Sequence, residues 1–400
     1  MSEKQADVVV AGHICLDIIP SLDGVRGRPG ELFLPGTLVN VGPAVVATGG
    51  AVSNAGLALH RLGVAARLMG KLGDDLLGRA VLDILKACDP SLAEDMIVAG
   101  GEHSSYSVVI SPPGVDRTFL HCPGANDTFT ADDLPYPRVA GARVFHFGYP
   151  PLMRRMYADG GRGLAGMLRR VREGGAAVSL DMSRPDLASE SGRADWRSLL
   201  GRALPHVDLF LPSFDETLLM LELDTFMQLE TAAGDAGIVS QASGELLRRL
   251  AERLIEMGVA VVGLKLGDQG LYLRTTGDAG RLAAVGGGLG LESPAWRNRE
   301  LLTPCFEVDV AGTTGAGDCT IAGFLAGLLH GLEPEATMRT AVGVGACSVE
   351  QADATSGVPA WDVVEKRLAS GWRQREVDLP LPGWRLDARH GLWRGPDDGA

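Results

Sequence analysis

VDVAGTTGAGDCTIAGFLAGLLHGL, residues 308–332, is the stretch that points most directly to a fold class. An apolar run, which predicts a strand, ends in the glycine turn 312–318, and apolar residues then recur at helical spacing. Such a turn leaves backbone N–H groups unpaired at the positive end of the helix dipole, and Gly315 and Gly317 have no side chain to keep an anion away. The stretch therefore predicts a strand, a phosphate-binding turn and a helix.

Asp318 gives this turn a possible chemical role. Its carboxylate would lie beside the bound anion, where it could accept a proton from an attacking hydroxyl. This arrangement suggests phosphoryl transfer. An aspartate at a helix start is often only a cap, so the neighbouring motifs have to decide.

Apolar strands alternate with amphipathic helices along the chain, which predicts an α/β fold with a mostly parallel sheet and helices on both faces. We predict these strands near residues 7–12, 66–70, 144–147, 177–181, 209–212 and 259–265. The sequence contains no Gly-x-x-x-x-Gly-Lys-Ser/Thr motif, and no Gly-x-Gly-x-x-Gly follows its first strand. Both a Walker NTPase and a Rossmann dehydrogenase are therefore disfavoured.

Two further features suggest recognition of hydroxyl groups. Asp17 closes the first apolar run, and ligands of open α/β sheets bind at the carboxyl ends of strands. Gly49 and Gly50 allow close approach of the backbone to a ligand, and Asn54 falls one turn into the helix that follows. Its amide can both donate and accept, as recognition of a polyol requires, although a local capping bond is the alternative.

Asp17, then Gly49-Gly50 with Asn54, then Gly315-Ala316-Gly317-Asp318, resemble in this order the ribokinase-like (PfkB-type) carbohydrate kinase family. The resemblance spans roughly residues 7–365. It implies a ribokinase-like three-layer α/β/α sandwich with a mostly parallel central sheet and a small β-strand lid. It also implies a kinase that uses ATP and Mg²⁺.

The resemblance implies specific roles for the matching residues. Asp318 resembles the catalytic base, and the backbone of Gly315, Ala316 and Gly317 resembles the anion hole for the transferring phosphoryl group. The positions that match sugar-binding residues are Asp17, Gly49, Gly50 and Asn54. Those expected to contact the nucleotide are Lys265, Gly267, Gly270, Thr313 and Thr314. Glu216 matches a glutamate that organises magnesium through water.

Two positions depart from the family pattern. Gly312 stands where the family usually has an aspartate that helps to bind a monovalent cation, so we expect potassium to matter little. Asp309, three strand residues upstream, would be displaced by about 10 Å and cannot be assumed to replace it. Ser213 stands where the family has asparagine, which suggests a different organisation of the magnesium shell.

We expect a kinase domain over residues 1–370 and a C-terminal tail, 371–400, that packs on the body or on a partner. Residues 18–46 and 104–122 look like antiparallel strands, which in this family form a lid over the sugar. Such a lid also suggests a homodimer formed through it. Residues 275–300 lie between two late strands, which would put Arg297 and Arg299 near the nucleotide, although exposed arginines are more often solvated.

Composition limits the partners. The net charge of −13 argues against nucleic acid, because a phosphate backbone needs a basic face. Six scattered cysteines indicate neither a zinc site nor a disulfide framework. The N-terminal residues lack an apolar signal core, and no run of about 18 apolar residues occurs, so we expect a cytoplasmic protein without membrane contact.

The leading hypothesis is phosphorylation by ATP of a hydroxyl, expected to be primary, on a sugar or sugar-like polyol. A nucleoside kinase of the same fold stays open, because Phe33, Tyr106 and Phe119 could stack on a base. A catalytically silent sugar-binding regulatory protein also stays open, since Gly312 and Ser213 depart from the pattern, although intact Asp318 weighs against it.

Overall fold

In the computed structural model, which describes residues 6–22, 34–111 and 118–399, fifteen strands form two sheets. The strands are β1 Val8–Gly12, β2 Cys15–Pro20, β3 Ala44–Gly49, β4 Ala66–Gly73, β5 Ile97–Ala99, β6 Tyr106–Ile110, β7 Thr118–Cys122, β8 Val144–Gly148, β9 Ala177–Leu180, β10 Leu209–Phe210, β11 Val261–Lys265, β12 Leu271–Thr275, β13 Glu300–Thr303, β14 Arg385–Asp387 and β15 Leu392–Arg394. The six strands predicted for the parallel sheet are all present, although β10 is only two residues long.

The main sheet has the order β14-β15-β13-β12-β11-β10-β9-β8-β1-β4-β5. Its strands from β11 to β5 run parallel, and those from β12 to β14 are antiparallel. Val8, Val9 and Val10 of β1 are fully buried, as a central parallel strand covered on both faces requires. From β1 the parallel strands continue through β4 to β5, and from β8 they continue in the opposite direction through β9 and β10 to β11. The strand order therefore reverses between β1 and β8.

Thirteen α-helices connect or cover the strands of the described chain. They are α1 Ala51–Arg61, α2 Leu76–Cys88, α3 Tyr136–Val139, α4 Arg154–Tyr157, α5 Arg162–Glu173, α6 Trp196–Ala203, α7 Phe214–Leu221, α8 Leu223–Ala233, α9 Gly244–Glu256, α10 Ala279–Ala283, α11 Ala316–Leu329, α12 Pro334–Ser348 and α13 Trp361–Ala369.

The main sheet separates two hydrophobic cores. Val9 and Ala11 of β1 pack in one core with α5, α6, α7 and α9, whereas Val8 and Val10 pack in the other with α1, α2, α11 and α12. Alternate residues of a strand point to opposite faces, so one apolar strand supplies both cores. The result is the three-layer α/β/α sandwich expected from the sequence.

A second sheet, the lid sheet, has the order β3-β2-β6-β7. Its outer pairs are antiparallel as predicted, but its central pair, β2 with β6, is parallel. The prediction of antiparallel strands was therefore wrong for this pair. The two strands come from separate segments of the chain, so no hairpin fixes their direction. Residues 23–33 and 112–117 of the predicted lid lie outside the described residues.

The sequence suggested that Asp17 closes the first strand of the main sheet, and this prediction was wrong. β1 ends at Gly12, whose φ of 122° is unfavourable for other residues, and Asp17 lies on β2 of the lid sheet. A Cβ at Gly12 would lie 2.3 Å from the carbonyl oxygen of Gly148 on β8. Glycine thus allows the chain to leave the main sheet here.

Two other predictions were wrong. Residues 308–310 form no strand, and the preceding strand, β13, ends at Thr303. Segment 275–300 was expected near the nucleotide, but it lies at the amino-terminal edge of the parallel strands. There the backbone N–H of Thr276 donates to the Ala260 carbonyl, and that of Gly287 donates to the Gly175 carbonyl. This edge is opposite the one at which Lys265 ends β11. The segment follows β12, which is antiparallel to β11 and returns the chain to that edge.

Within the described ranges, no helix has both the length and the apolar character needed to cross a membrane.

Candidate active site

Polar side chains gather at the carboxyl ends of the parallel strands, on both sides of the point where strand order reverses. His13 follows β1, Tyr149 follows β8, Asp181 follows β9, and Lys265 ends β11. In open α/β sheets this crevice is where ligands bind.

Asp318 faces this crevice from the first turn of α11. Gly315 caps the helix with φ of 70°, and a Cβ there would lie 2.5 Å from the Cβ of Ala354. The N–H groups of Ala316, Gly317 and Asp318 open the helix and have no partner within it, although that of Ala316 donates to the Thr313 carbonyl at 3.4 Å. Such N–H groups at a helix start can bind an anion. The Asp318 side chain is buried, with 1% of its surface exposed. A carboxylate and a set of anion-binding amides thus share one helix terminus.

Two neutral side chains donate hydrogen bonds to Asp318. The Asn54 amide nitrogen lies 2.9 Å from Oδ2, and the Tyr149 hydroxyl lies 2.9 Å from Oδ1 and 2.8 Å from Oδ2. Burial raises the pKa of Asp318 above its ordinary value, while Asn54, Lys265 and Tyr149 act against that rise. The bond from Asn54 reaches another element rather than forming the local cap considered from the sequence.

Tyr149 adopts an uncommon backbone conformation. Its φ of 64° lies in the left-handed region, which bulky residues rarely adopt. The phenol ring is half-buried, and its centroid lies 6.1 Å from the His13 ring centroid. Burial, followed by the nearby charges of Asp318 and Asp181, raises the pKa of Tyr149 well above its ordinary value, so the hydroxyl stays protonated and acts as a donor.

Asp17 lies beside the glycine pair, as the site prediction required. A Cβ at Gly49 would lie 2.2 Å from Oδ2 of Asp17, and one at Gly50 would lie 2.5 Å from Nδ1 of His13. Cys15 and Ser107 hydrogen-bond to the Asp17 carboxylate, but burial dominates and raises its pKa. The two glycines are therefore required by close packing against side chains of the site.

Two imidazoles join the body to the lid sheet. Nε2 of His13 lies 3.4 Å from Nε2 of His121 on β7, and Nδ1 of His121 lies 3.0 Å from the Ser107 hydroxyl. Burial, with a contribution from His121, lowers the pKa of His13, and burial also lowers that of His121. Both rings are therefore neutral near pH 7. Hydrogen bonds thus link Asp17 through Ser107 and His121 to His13, whose ring lies beside that of Tyr149.

A buried charge cluster lies on the other side of Asp318. Nζ of Lys265 lies 2.6 Å from Oδ1 of Asp181, and an Oε2 of Glu216 accepts a 2.7 Å bond from the Ser213 backbone N–H. Burial raises the pKa of Asp181 and Glu216. Burial acts to lower the pKa of Lys265, but Asp181 and Glu216 raise it overall, so the amine stays charged.

Lys265 also lies beside the glycine turn. A Cβ at Gly317 would lie 3.4 Å from Cδ and 3.8 Å from Nζ of Lys265. The lysine thus brings a positive charge close to the anion-binding amides. The sequence had assigned Lys265 only to the nucleotide wall.

A cavity of about 310 Å³ opens from this point between β11 and α12. Its lining includes the predicted nucleotide residues Lys265, Gly267, Gly270 and Thr313, with Ala316 and Gly317 at the helix start. Thr314 is not among the described residues that line it. Phe306, Val342, Ala346 and Val349 form an apolar region of the same cavity. The cavity therefore combines an anion-binding end with an apolar wall.

Comparison with known proteins identifies the family. The model of the pfkB family of carbohydrate kinases matches residues 5–361. This chain belongs to the pfkB family of carbohydrate kinases. It is thus a phosphotransferase that acts on carbohydrate, as the sequence predicted.

Individual relatives agree with this assignment. An uncharacterized sugar kinase of Archaeoglobus fulgidus is 25% identical over 303 residues, which cover 76% of this chain and 98% of that protein. Fructokinase-1 of Zea mays is 32% identical over 144 residues, 35% of this chain and 41% of that protein. The crystal structure of fructokinase with bound ATP from Xylella fastidiosa superposes with a TM-score of 0.63 at 18% identity, covering 91% of this chain and 98% of that one, and supports the fold.

Both departures from the pfkB pattern have structural explanations. A Cβ at Gly312 would lie 2.8 Å from the carbonyl oxygen of Ala352, so an aspartate would not fit here without a backbone shift. Ser213 caps α7 and forms a reciprocal capping box with Glu216. The backbone N–H of Ser213 thus fixes the Glu216 carboxylate at the start of α7 by a hydrogen bond.

Sequence reasoning missed His13, His121 and Tyr149, and it placed Asp181 at a strand end without assigning it a role. Three of the four directly follow the carboxyl end of a parallel strand or lie one residue beyond it, so the strand-end rule applied to every strand would have found them. His121 lies on the lid sheet, and no sequence signal placed it beside His13.

The aromatic residues considered for base stacking differ in position. Tyr106 is half-buried against the core that contains α1 and α2, and Phe119 is about half exposed on β7. Phe33 lies outside the described residues.

Proposed function

We propose that this pfkB-family enzyme transfers the γ-phosphoryl group of ATP to a hydroxyl, expected to be primary, of a sugar or sugar-like polyol. One observation carries the proposal: the buried carboxylate of Asp318 lies in the first turn of α11, beside the backbone amides that open this helix and close to Lys265. In this position a base can take the hydroxyl proton while the amides receive the phosphoryl group.

The acceptor is proposed to bind between the lid sheet and the reversal point of the main sheet. Asp17 and Asn54 would hold its hydroxyls, since a buried carboxylate accepts and an amide does both. The buried Oδ1 of Asn54 and Nδ1 of His13 have no hydrogen-bond partner among the described residues. Buried polar atoms are normally paired, so these atoms support a polar ligand here.

The donor is proposed to lie in the cavity beside α12, with its phosphates toward Gly317 and Lys265. Positive charge and N–H groups at that end fit phosphate, and the apolar wall near Phe306 fits the base. The fructokinase of the same fold was crystallised with bound ATP, which supports ATP as the donor.

The buried carboxylates fit Mg²⁺ at the phosphate end. Oδ2 of Asp181 has no hydrogen-bond partner among the described residues, and hard cations prefer oxygen ligands. We propose that Asp181 and Glu216 would hold the ion, Glu216 through water. When bound, Mg²⁺ would offset negative charge on the phosphates.

We also propose that the protein forms a homodimer through the lid sheet. Val45 and Val46 on β3 and Phe119 and Leu120 on β7 are each about half exposed, and both strands are edges of that sheet. Apolar edge strands are favoured sites of association. Light scattering should give twice the mass of one chain, and a monomer would contradict this proposal.

A cytoplasmic location stays a prediction.

The function is tested with Asp318→Asn. Asparagine keeps the shape of the side chain but cannot take the proton, so turnover should fall by roughly 10²- to 10⁴-fold with sugar binding and the melting temperature nearly unchanged. Asp309→Asn is the matched control, because Asp309 is exposed in the same segment and should leave turnover unchanged.

The substrate is found with a panel of sugars, sugar acids and nucleosides, assayed with ATP and Mg²⁺ by release of ADP. Turnover of nucleosides alone would favour the nucleoside kinase. A folded Asp318→Asn variant with most of its activity would remove Asp318 from the mechanism.

A further inference from the structure

The C-terminal tail forms hydrogen bonds along the segment that precedes the glycine turn. The backbone N–H of Glu307 donates to Arg373, and that of Arg375 donates to Cys305, at 2.9 and 2.8 Å. The Gln374 side chain donates to the Pro304 carbonyl at 3.1 Å. Tail and segment therefore run antiparallel to each other as a short clip.

Aromatic stacking reinforces this clip. The ring of Trp372 stacks on Phe306 with centroids 4.4 Å apart and planes 20° apart, and its indole N–H donates to the Glu307 carbonyl. Phe306 itself is buried and lines the cavity assigned above to the nucleotide. The tail thus supports an apolar wall of that cavity from behind.

Arg375 brings the tail into the cavity itself. Its side chain lines the cavity together with Cys305 and Phe306, and its guanidinium lies 3.0 Å from the carboxylate of Asp268 in the turn between β11 and β12. Asp268 also lines the cavity. An ion pair between the tail and this turn therefore lies at the solvent-exposed rim of the cavity.

We propose that the tail contributes Arg375 to the nucleotide-binding site, where it contacts the nucleoside part of the bound nucleotide. The inference rests on the proposed use of ATP. The phosphate end of the cavity is already defined by Gly317, Thr313 and Lys265, so the guanidinium at the apolar wall faces the base or ribose. A planar guanidinium can stack on a base or donate to its acceptors.

Arg375 lies outside the segment that matches the pfkB family, which ends at residue 361. Relatives without a comparable tail would have to build this wall from other residues. The tail is anchored independently of Arg375, since β15 pairs with β13 and Trp384 packs near Tyr272. Replacing Arg375 should therefore leave the fold intact.

The test is calorimetric titration of the full-length protein with ADP and Mg²⁺, comparing wild type, Arg375→Ala and Arg373→Ala. Arg373 is the matched control, because it lies two residues away, pairs with Glu307 at 3.1 Å and is outside the cavity lining. We expect Arg375→Ala to weaken ADP binding by about threefold to tenfold, the scale of one guanidinium contact with a ring. Arg373→Ala should bind as wild type does, and the KM for the acceptor should be unchanged in both.

Adenosine replaces ADP in a second titration, and Arg375→Ala should weaken its binding by a similar factor. A loss seen with ADP but not with adenosine would place Arg375 at the phosphates and overturn the assignment. Unchanged ADP binding in Arg375→Ala, with wild type binding ADP, would remove the tail residue from the site. Failure of wild type to bind any adenine nucleotide would instead contradict the proposed function.

Discussion

Replacement of Tyr149 by phenylalanine should move the pH dependence of activity. The substitution removes one hydroxyl, which lies within 2.9 Å of both oxygens of Asp318, and leaves the ring in place. A hydrogen bond to a charged group contributes about 1.5–3 kcal/mol, and one pKa unit corresponds to about 1.4 kcal/mol. Loss of the donor should therefore raise the pKa of Asp318 by roughly one to two units.

The direction of the shift follows from the proposed role of Asp318 as a base. A base acts only when it is deprotonated, so activity falls as the pH drops through its pKa. A higher pKa moves this acid limb of kcat/KM to higher pH by roughly one to two units. Well above the limb, both proteins should have similar turnover, because Asn54 still orients the carboxylate.

The assay is release of ADP over a range of pH at saturating ATP, with Tyr272→Phe as the control. Tyr272 is a buried tyrosine whose hydroxyl also donates to a carboxylate, Glu300, at 3.2 Å, but it lies on β12 away from the site. Its loss should leave the acid limb in place. An identical acid limb in wild type and Tyr149→Phe would refute the reasoning, since the hydroxyl could not then be bonded to Asp318 in the working enzyme.

Three further predictions concern the ligands. In calorimetry, Asp17→Ala and Asn54→Ala should each weaken acceptor binding by about 1–3 kcal/mol and leave ATP binding nearly unchanged. The reverse pattern would mean that the acceptor and ATP occupy each other's proposed ends of the cleft. Gly49→Ala should displace Asp17, whose Oδ2 would lie 2.2 Å from the new Cβ, and raise the KM for the acceptor about tenfold, whereas an unchanged KM would place the acceptor elsewhere. Rates should be alike in potassium, sodium and a bulky organic cation at constant ionic strength, because Gly312 offers no carboxylate, and a saturable rise specific to potassium would contradict this.

The fold could be predicted from the sequence where the residues of a single strand show on which faces that strand is buried. Val8-Val9-Val10 is apolar on both faces, which only a central strand between two helical layers accommodates. The parallel pairing of β2 with β6 could not be predicted, because the paired residues Leu16 and Tyr106 lie 90 positions apart in the chain and no turn fixes the relative direction of the strands. The same limit applied to residues 308–310, whose apolar pattern fits a strand but which lie beside the clip formed by the tail.

The site could be predicted where residues are neighbours in sequence and not where the fold brings strand ends together. Gly315, Gly317 and Asp318 share one turn, so their spacing predicted both the anion cradle and the carboxylate. Tyr149 comes 169 residues earlier, and its contact with Asp318 depends on a left-handed backbone conformation that no sequence pattern indicated. The turn and its carboxylate were therefore predictable from the sequence, and the side chains that contact this carboxylate were not.

That environment explains how Asp318 can remain basic beside a cation. A lysine paired directly with the carboxylate would stabilise its charge strongly and depress its pKa, which would make it a poor proton acceptor. Here Lys265 is held by Asp181 at 2.6 Å, and the groups that touch Asp318 are the neutral donors Asn54 and Tyr149. We propose that the cation serves the phosphate end of the cavity, while burial raises the pKa of the carboxylate on the acceptor side. In the proposed roles, a single crevice can then hold a positive charge for the donor and a proton acceptor for the sugar, because the lysine acts on Asp318 without a direct ion pair.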